Sequence, residues 1–161
     1  MTVNQSRIEF AKRVTEVFPL VPLPNGPFAR RDRIAHSFQG LRWDQVEPAT
    51  LSLFCYELHD LYPHVYRYFL PAFLTGMLLH EDEVGALVSV MTYSLIPPKQ
   101  DELRYREFYA EVEELAGSQR RVIYELFANY SELFPDALWP DFTSKGSEEL
   151  EKALEYWGEE S

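Results

Sequence analysis

Glu57, His59, Asp60 and His64 form the densest run of metal-ligating and acid–base side chains in the sequence. Imidazole and carboxylate are zinc-ligand types, and folding could add His80 to the set. The spacing argues against a metal. Two histidines sharing an ion from one helix sit four residues apart, so that both project from one face. His59 and His64 are five apart, with Pro63 between them. Helix-end and loop histidines bonded to nearby groups are expected instead, and no metal or other cofactor is assigned. The carboxylate pairs Glu113/Glu114 and Glu148/Glu149 fall on polar helix faces, where solvated charge is the default. A general acid needs burial to raise its pKa, and no carboxylate is marked for that by the sequence. Cys55 lies on an apolar face, which reads as a core thiol of raised pKa and low reactivity. There is no glycine-rich phosphate loop and no GxSxG elbow. No catalytic residue is assigned.

Two other clusters have shape rather than chemistry. Arg104, Tyr105 and Tyr109, with Arg106 and Phe108 between them, are the residue types enriched at protein interfaces. The alternative is that Phe108 and Val112 face a core whose edge the tyrosines cap. Tyr66, Arg67 and Pro71 mark the second cluster. Proline at 71 cannot donate to the carbonyl of Arg67, which then needs another donor. A kinked helix lined by tyrosines leaves room for a pocket there.

The elements that must position these residues are helical. Tyr66, Phe69, Leu70, Phe73, Leu74, Met77 and Leu78 follow i, i+3, i+4, i+7 spacing straight through Pro71. A stripe that keeps its phase across a break costing roughly 3 kcal/mol predicts a buried, kinked central helix. A second helix capped by Asp82, with Val84, Leu87, Val88, Met91 and Leu95 inward, completes a hairpin over 64–95 and ends at Pro97-Pro98. Ala72, Thr75 and Gly76 on one helix and Gly85, Ser89 and Thr92 on the next either let the two approach closely or face loops and solvent. Further helices are expected at 5–18 (Ser6 cap), 28–38 (ended by Gly40), from Pro48 with Leu51, Phe54, Cys55 and Leu58 inward, at 101–115 (closed by Gly117), and from Ser118 with Val122, Ile123, Leu126, Phe127, Tyr130 and Phe134 inward. Pro135 and Pro140 break the chain around Trp139. A peripheral, acidic C-terminal helix capped by Ser147 lies within 136–161. Residues 19–27 hold four prolines and read as a connector, packed down by Phe18, Leu20, Val21 and Leu23. The expected architecture is one all-α domain, 1–161, of seven to eight helices.

Charge and composition set the limits on partners. The net charge is −11, but residues 1–42 carry +4 and residues 43–161 carry −15. An acidic body repels phosphate backbones, so nucleic acid is excluded as a partner. The N-terminal cations either contact the acidic remainder or solvate, with a patch for an acidic partner as the sharper alternative. The longest charge-free apolar runs, 68–79 and 84–98, fall short of the ~20 residues that span a bilayer. One cysteine precludes an internal disulfide framework and suits a reducing cytoplasm. No basic segment followed by an apolar one opens the sequence, so a secretory leader is not expected.

Tyr68-Phe69-Leu70-Pro71-Ala72-Phe73-Leu74, with Arg42-Trp43 ahead of it and Ser94-Leu95-Ile96-Pro97-Pro98 behind, resembles a family of small bacterial helical proteins classed as a domain of unknown function. Ser118-Gln119 is similar to a later feature of that family. The resemblance covers roughly 38–130. It implies a helical domain and carries no catalytic residue across. The leading expectation is a non-enzymatic protein-interaction module, immunity-like in one concrete form, acting as a monomer or homodimer. The alternative is a small-molecule-binding protein or enzyme with a pocket at the Pro71 kink.

Overall fold

Pro63 opens a helix that runs without interruption to Leu79 and carries Pro71 in its interior. A computed structural model describes residues 4–136 and 145–159. Its helices are α1 (Gln5–Val17), α2 (Asp32–Phe38), α3 (Pro48–Phe54), α4 (Pro63–Leu79), α5 (Leu87–Ser94), α6 (Tyr105–Val112), α7 (Gly117–Ala128), α8 (Tyr130–Leu133) and α9 (Lys145–Gly158), with 3-10 turns at Trp43–Gln45 and Cys55–Asp60. Among the described residues the fold is an all-α bundle, and the only β-type pairing is a single bridge between Ala29 and Leu61. Among the described residues nine α-helices stand where seven or eight were expected; the short α8 splits from α7 at Asn129, whose backbone leaves helical geometry.

α4 is the centre. Phe69 and Met77 are fully buried and Phe73 nearly so. The Thr75 hydroxyl donates to the carbonyl of Pro71 at 2.8 Å, so the turn after the proline gains a side-chain bond. The hairpin with α5 is only part of its packing, because α1 runs along α4 more extensively. Gly76 lies close to side chains of both α3 and the expected partner α5. A Cβ there would lie 2.6 Å from Leu51 Cδ1 of α3 and 3.5 Å from Leu87 Cδ2. Gly85 belongs to no helix: at φ +57° it occupies the left-handed region in the turn before α5.

That turn shortens α5. Asp82 is exposed and caps nothing, although Val84, Leu87, Val88, Met91 and Leu95 all point inward as expected. Other boundaries shift in the same way. Asn4, not Ser6, caps α1 by accepting from the Ser6 amide at 2.9 Å. Gly117 is the first residue of α7 rather than the stop of α6, and the start of α7 is tied by Gln119, whose side chain accepts the Ala116 N–H at 2.9 Å. α9 begins at Lys145, ahead of the expected Ser147 cap. Leu20 and Val21 are exposed; Phe18, just ahead of the 19–27 connector, is in the core, and Leu23, at the middle of the connector, packs against it. The expected break at Trp139 and Pro140 lies outside the described residues.

One contiguous core joins α1 to α9. The C-terminal helix, expected at the periphery, sends a fully buried Trp157 into it, and the indole N–H donates to the carbonyl of Leu95 at 2.8 Å. The N-terminal cations contact the acidic remainder: Arg7 pairs with Glu81, Arg13 with Glu125, Arg31 with Asp60 and Arg33 with Glu57. Among the described residues no helix is long and apolar enough to cross a membrane.

Candidate functional site

Residues 28–30 lie beside residues 60–62. The Arg30 amide donates to the carbonyl of Asp60 at 2.7 Å, and the Tyr62 amide to that of Phe28 at 3.2 Å. Buried Leu58 and Leu61 anchor this stretch and fix His59 between them. α6 approaches from the other side with Phe108, Glu111, Val112 and, one turn on, Leu115 inward. Glu111 therefore takes an apolar position. Its side chain is only 4 % exposed, and its carboxylate oxygens both lie 3.0 Å from His59 Nδ1. The ring N–H donates to this carboxylate. The fully enclosed Tyr66 ring stacks on the imidazole with centroids 6.0 Å apart. Burial is also the main cause lifting the Tyr66 hydroxyl above the ordinary phenol range.

Burial pushes the Glu111 carboxyl above its ordinary 4.5, and His59 pulls it partly back; Glu107 adds to the rise and Arg30 opposes it. The sign for stability follows. The folded chain holds the Glu111 proton more tightly than the unfolded chain, so this contribution is fully present below about pH 4.5 and is lost as pH rises through the folded value. Glu111→Gln keeps an acceptor for His59 and removes the titration. Urea denaturation at a series of pH values is expected to show the variant gaining on the unmodified chain as pH rises above that point. Parallel curves would rule out burial as the dominant influence.

Glu111 floors a cleft of about 200 Å³ whose walls include Arg30, Arg106, Glu107, Leu61 and Pro63. Arg30 is held in place: its guanidinium donates to the carbonyl of His59 at 2.5 Å and sits over the Tyr62 ring.

The other polar residues singled out in the sequence are dispersed. Asp60 and Glu57 pair with Arg31 and Arg33. His64 Nε2 donates to the carbonyl of Asn25 at 3.2 Å, and His80 faces Glu83 at 3.1 Å. Among the described residues no three His, Cys, Asp or Glu side chains gather as metal ligands. Cys55 is buried, and burial raises its thiol.

Around Pro71, Arg67 and Pro71 line a recess of about 120 Å³ together with Trp43 and Tyr68. Tyr66 points elsewhere, to His59. The Arg67 guanidinium is committed to the carbonyls of Ala110 and Glu111 and to the Glu114 carboxylate. The indole N–H of Trp43 is buried without an acceptor.

Arg104, Tyr105 and Tyr109 divide. Arg104 turns inward and donates to the carbonyls of Tyr93, Ser94 and Ile96, closing the C-terminal end of α5, with its guanidinium 4.5 Å from the Tyr93 ring centre. Tyr105 and Tyr109 are half-buried, with ring centres 4.8 Å apart, and Tyr109 meets Tyr156 of α9 at 5.7 Å. Tyr109 and Tyr156 flank an open groove of about 270 Å³ with Pro97, Pro98, Lys99, Lys152, Glu155 and Glu159.

Two side chains of interest escape a reading by motif. Glu111 lies three residues after Phe108 and four before Leu115, and Arg120 lies three before Ile123 and seven before Phe127. A charge at an inward helical position was the available signal in both cases.

Compared with family models, with curated proteins and with solved structures, the chain matches none.

Proposed function

We propose that the protein is a non-enzymatic interaction module that holds a basic partner protein against the tyrosine face of α6 and α9. The observation that carries this reading is the ladder Tyr105–Tyr109–Tyr156, half-buried and rimmed by Glu155 and Glu159. Tyrosines supply rigid contact area at low entropic cost, and their ring faces attract arginine and lysine. Carboxylates beside them favour the same cations. Lys99 and Lys152 share the rim, but α9 as a whole carries Glu148, Glu149, Glu151 and Glu155 against Lys145 and Lys152. The net charge of −11 adds long-range attraction for a basic protein. An immunity protein neutralising a basic effector is one concrete form, and the single, buried cysteine suits a cytoplasmic setting.

The ligand-binding reading at Pro71 has less behind it. Its recess is small, and Arg67, the cation it would use, is already committed.

The test is a comparative pull-down at low and high salt. The unmodified chain, Tyr109→Ala and Glu155→Lys are run beside Tyr56→Ala, a control at an exposed position on the Cys55–Asp60 turn. A basic protein is expected to be retained by the unmodified chain and the control, released by salt and lost by the two face variants. Recovery of the bait alone at every salt concentration, or retention unaffected by the face variants, would overturn the proposal.

A further inference from the structure

We infer that the cleft over Glu111 is a binding site for a small zwitterion, specifically a free α-amino acid. Four charged side chains, Arg30, Arg106, Glu107 and Glu111, line one cleft of about 200 Å³. Neither arginine is ion-paired. Arg30 is occupied by a backbone carbonyl and an aromatic ring, and Arg106 is exposed without a carboxylate partner. Glu107 is also unpaired, and Glu111 is hydrogen-bonded by His59, with the charge of Arg30 acting on it as well. An anion by itself would meet the two glutamates, and a cation by itself would meet the two arginines. An α-amino acid satisfies both signs at once. Its carboxylate suits the planar donor fork of arginine, and its ammonium suits the carboxylates of Glu107 and Glu111. Leu61 and Pro63 give an apolar wall for its side chain. The size agrees, since pockets for larger organic ligands run to roughly 300–1,000 Å³. Glu111 and Arg30 are already positioned by His59, so two of the four charges need little ordering on binding.

This site uses none of Tyr105, Tyr109 or Tyr156, and it stands apart from the partner-binding reading. The experiment is a ligand-detected NMR titration of the full chain with each of the protein-forming α-amino acids. Acetate, inorganic phosphate and methylamine serve as half-ligands. At least one amino acid is expected to saturate, with every half-ligand binding about tenfold or more weakly. Arg106→Ala, a change at an exposed and unpaired side chain, is expected to weaken that amino acid about tenfold while leaving the circular dichroism spectrum unchanged. Glu107→Gln should do the same, which keeps the test independent of whether a Glu111 variant folds. No saturation at millimolar concentration, equal binding of phosphate, acetate or methylamine, or unaltered affinity in Arg106→Ala would overturn the inference.

Discussion

Trp157→Ala is expected to cost about 3–5 kcal/mol of folding stability, read as a large fall in the urea midpoint. The side chain is fully buried and among the largest in the core. It packs edge-on to Tyr156 at 5.0 Å and to Phe108 at 6.3 Å, and the Arg120 guanidinium lies 5.0 Å from its ring centre. Truncation would remove that burial, open a cavity beside α6 and leave the Leu95 carbonyl without its 2.8 Å donor. Among the described side chains of α9, Ala153 and Trp157 are fully buried and Leu150, Leu154 and Tyr156 pack partly buried against the same core, so Trp157 is the largest single anchor of this helix. The loss is a large share of the roughly 5–15 kcal/mol a domain commands. Trp157→Phe separates the contributions. It keeps most of the apolar area and forfeits the N–H, for a loss of about 1–3 kcal/mol from the stranded carbonyl. If Trp157→Ala moved stability by less than about 1 kcal/mol, α9 would not be docked by this residue. The same docking positions Tyr156 against Tyr109, so the candidate partner face depends on it.

Periodicity carried well from sequence to structure because burial follows it directly. The stripe through Pro71, the face from Leu51 to Leu58 and the face from Val122 to Phe134 are all inward. Helix ends carried poorly. Ser6, Asp82, Ser118 and Ser147 each have a cap's chemistry, but capping depends on where the backbone leaves helical geometry. At Asp82 the decisive residue lies three positions later, where Gly85 takes φ +57° and the chain turns before α5 can start. At Ser118 the helix had already begun at Gly117. A serine or an aspartate is permissive for a cap and does not fix one.

The Glu111 cleft was harder still to read. His59 drew attention as a metal-ligand type, yet its partner lies 52 residues away on α6. Arg30 reaches the cleft only because residues 28–30 pair with residues 60–62, a bridge too short for strand periodicity to announce. The available signal, which the sequence reading passed over, was Glu111 on the Phe108–Leu115 face. A carboxylate at an inward position requires a partner, and tertiary structure alone could name His59. Arg104 illustrates the converse. Its type suggested a partner surface, whereas its three carbonyl bonds show a cation closing a neighbouring helix.

Phe38→Ala is expected to be as damaging as the loss of Trp157, at about 3–5 kcal/mol, and to act on a different part of the fold. α2 has only seven residues, too short to be helical without tertiary support. Ile34 and Phe38 are its only buried residues. Phe38 is fully enclosed and meets Phe69 at 5.1 Å, Phe54 at 5.7 Å and Phe73 at 5.9 Å, so one ring ties α2 to both α3 and α4. Each aromatic pair adds about 0.5–1.5 kcal/mol beyond area burial, and one truncation removes three of them. Two readouts distinguish global from local failure. Urea denaturation reports the total loss, and amide exchange over 32–38 reports whether α2 detaches first. Faster exchange there, with α4 still protected, is the expected pattern. Detachment of α2 would also loosen the 28–30 segment that presents Arg30, so amino-acid binding in the Glu111 cleft should weaken in Phe38→Ala although the substitution touches no residue of that cleft.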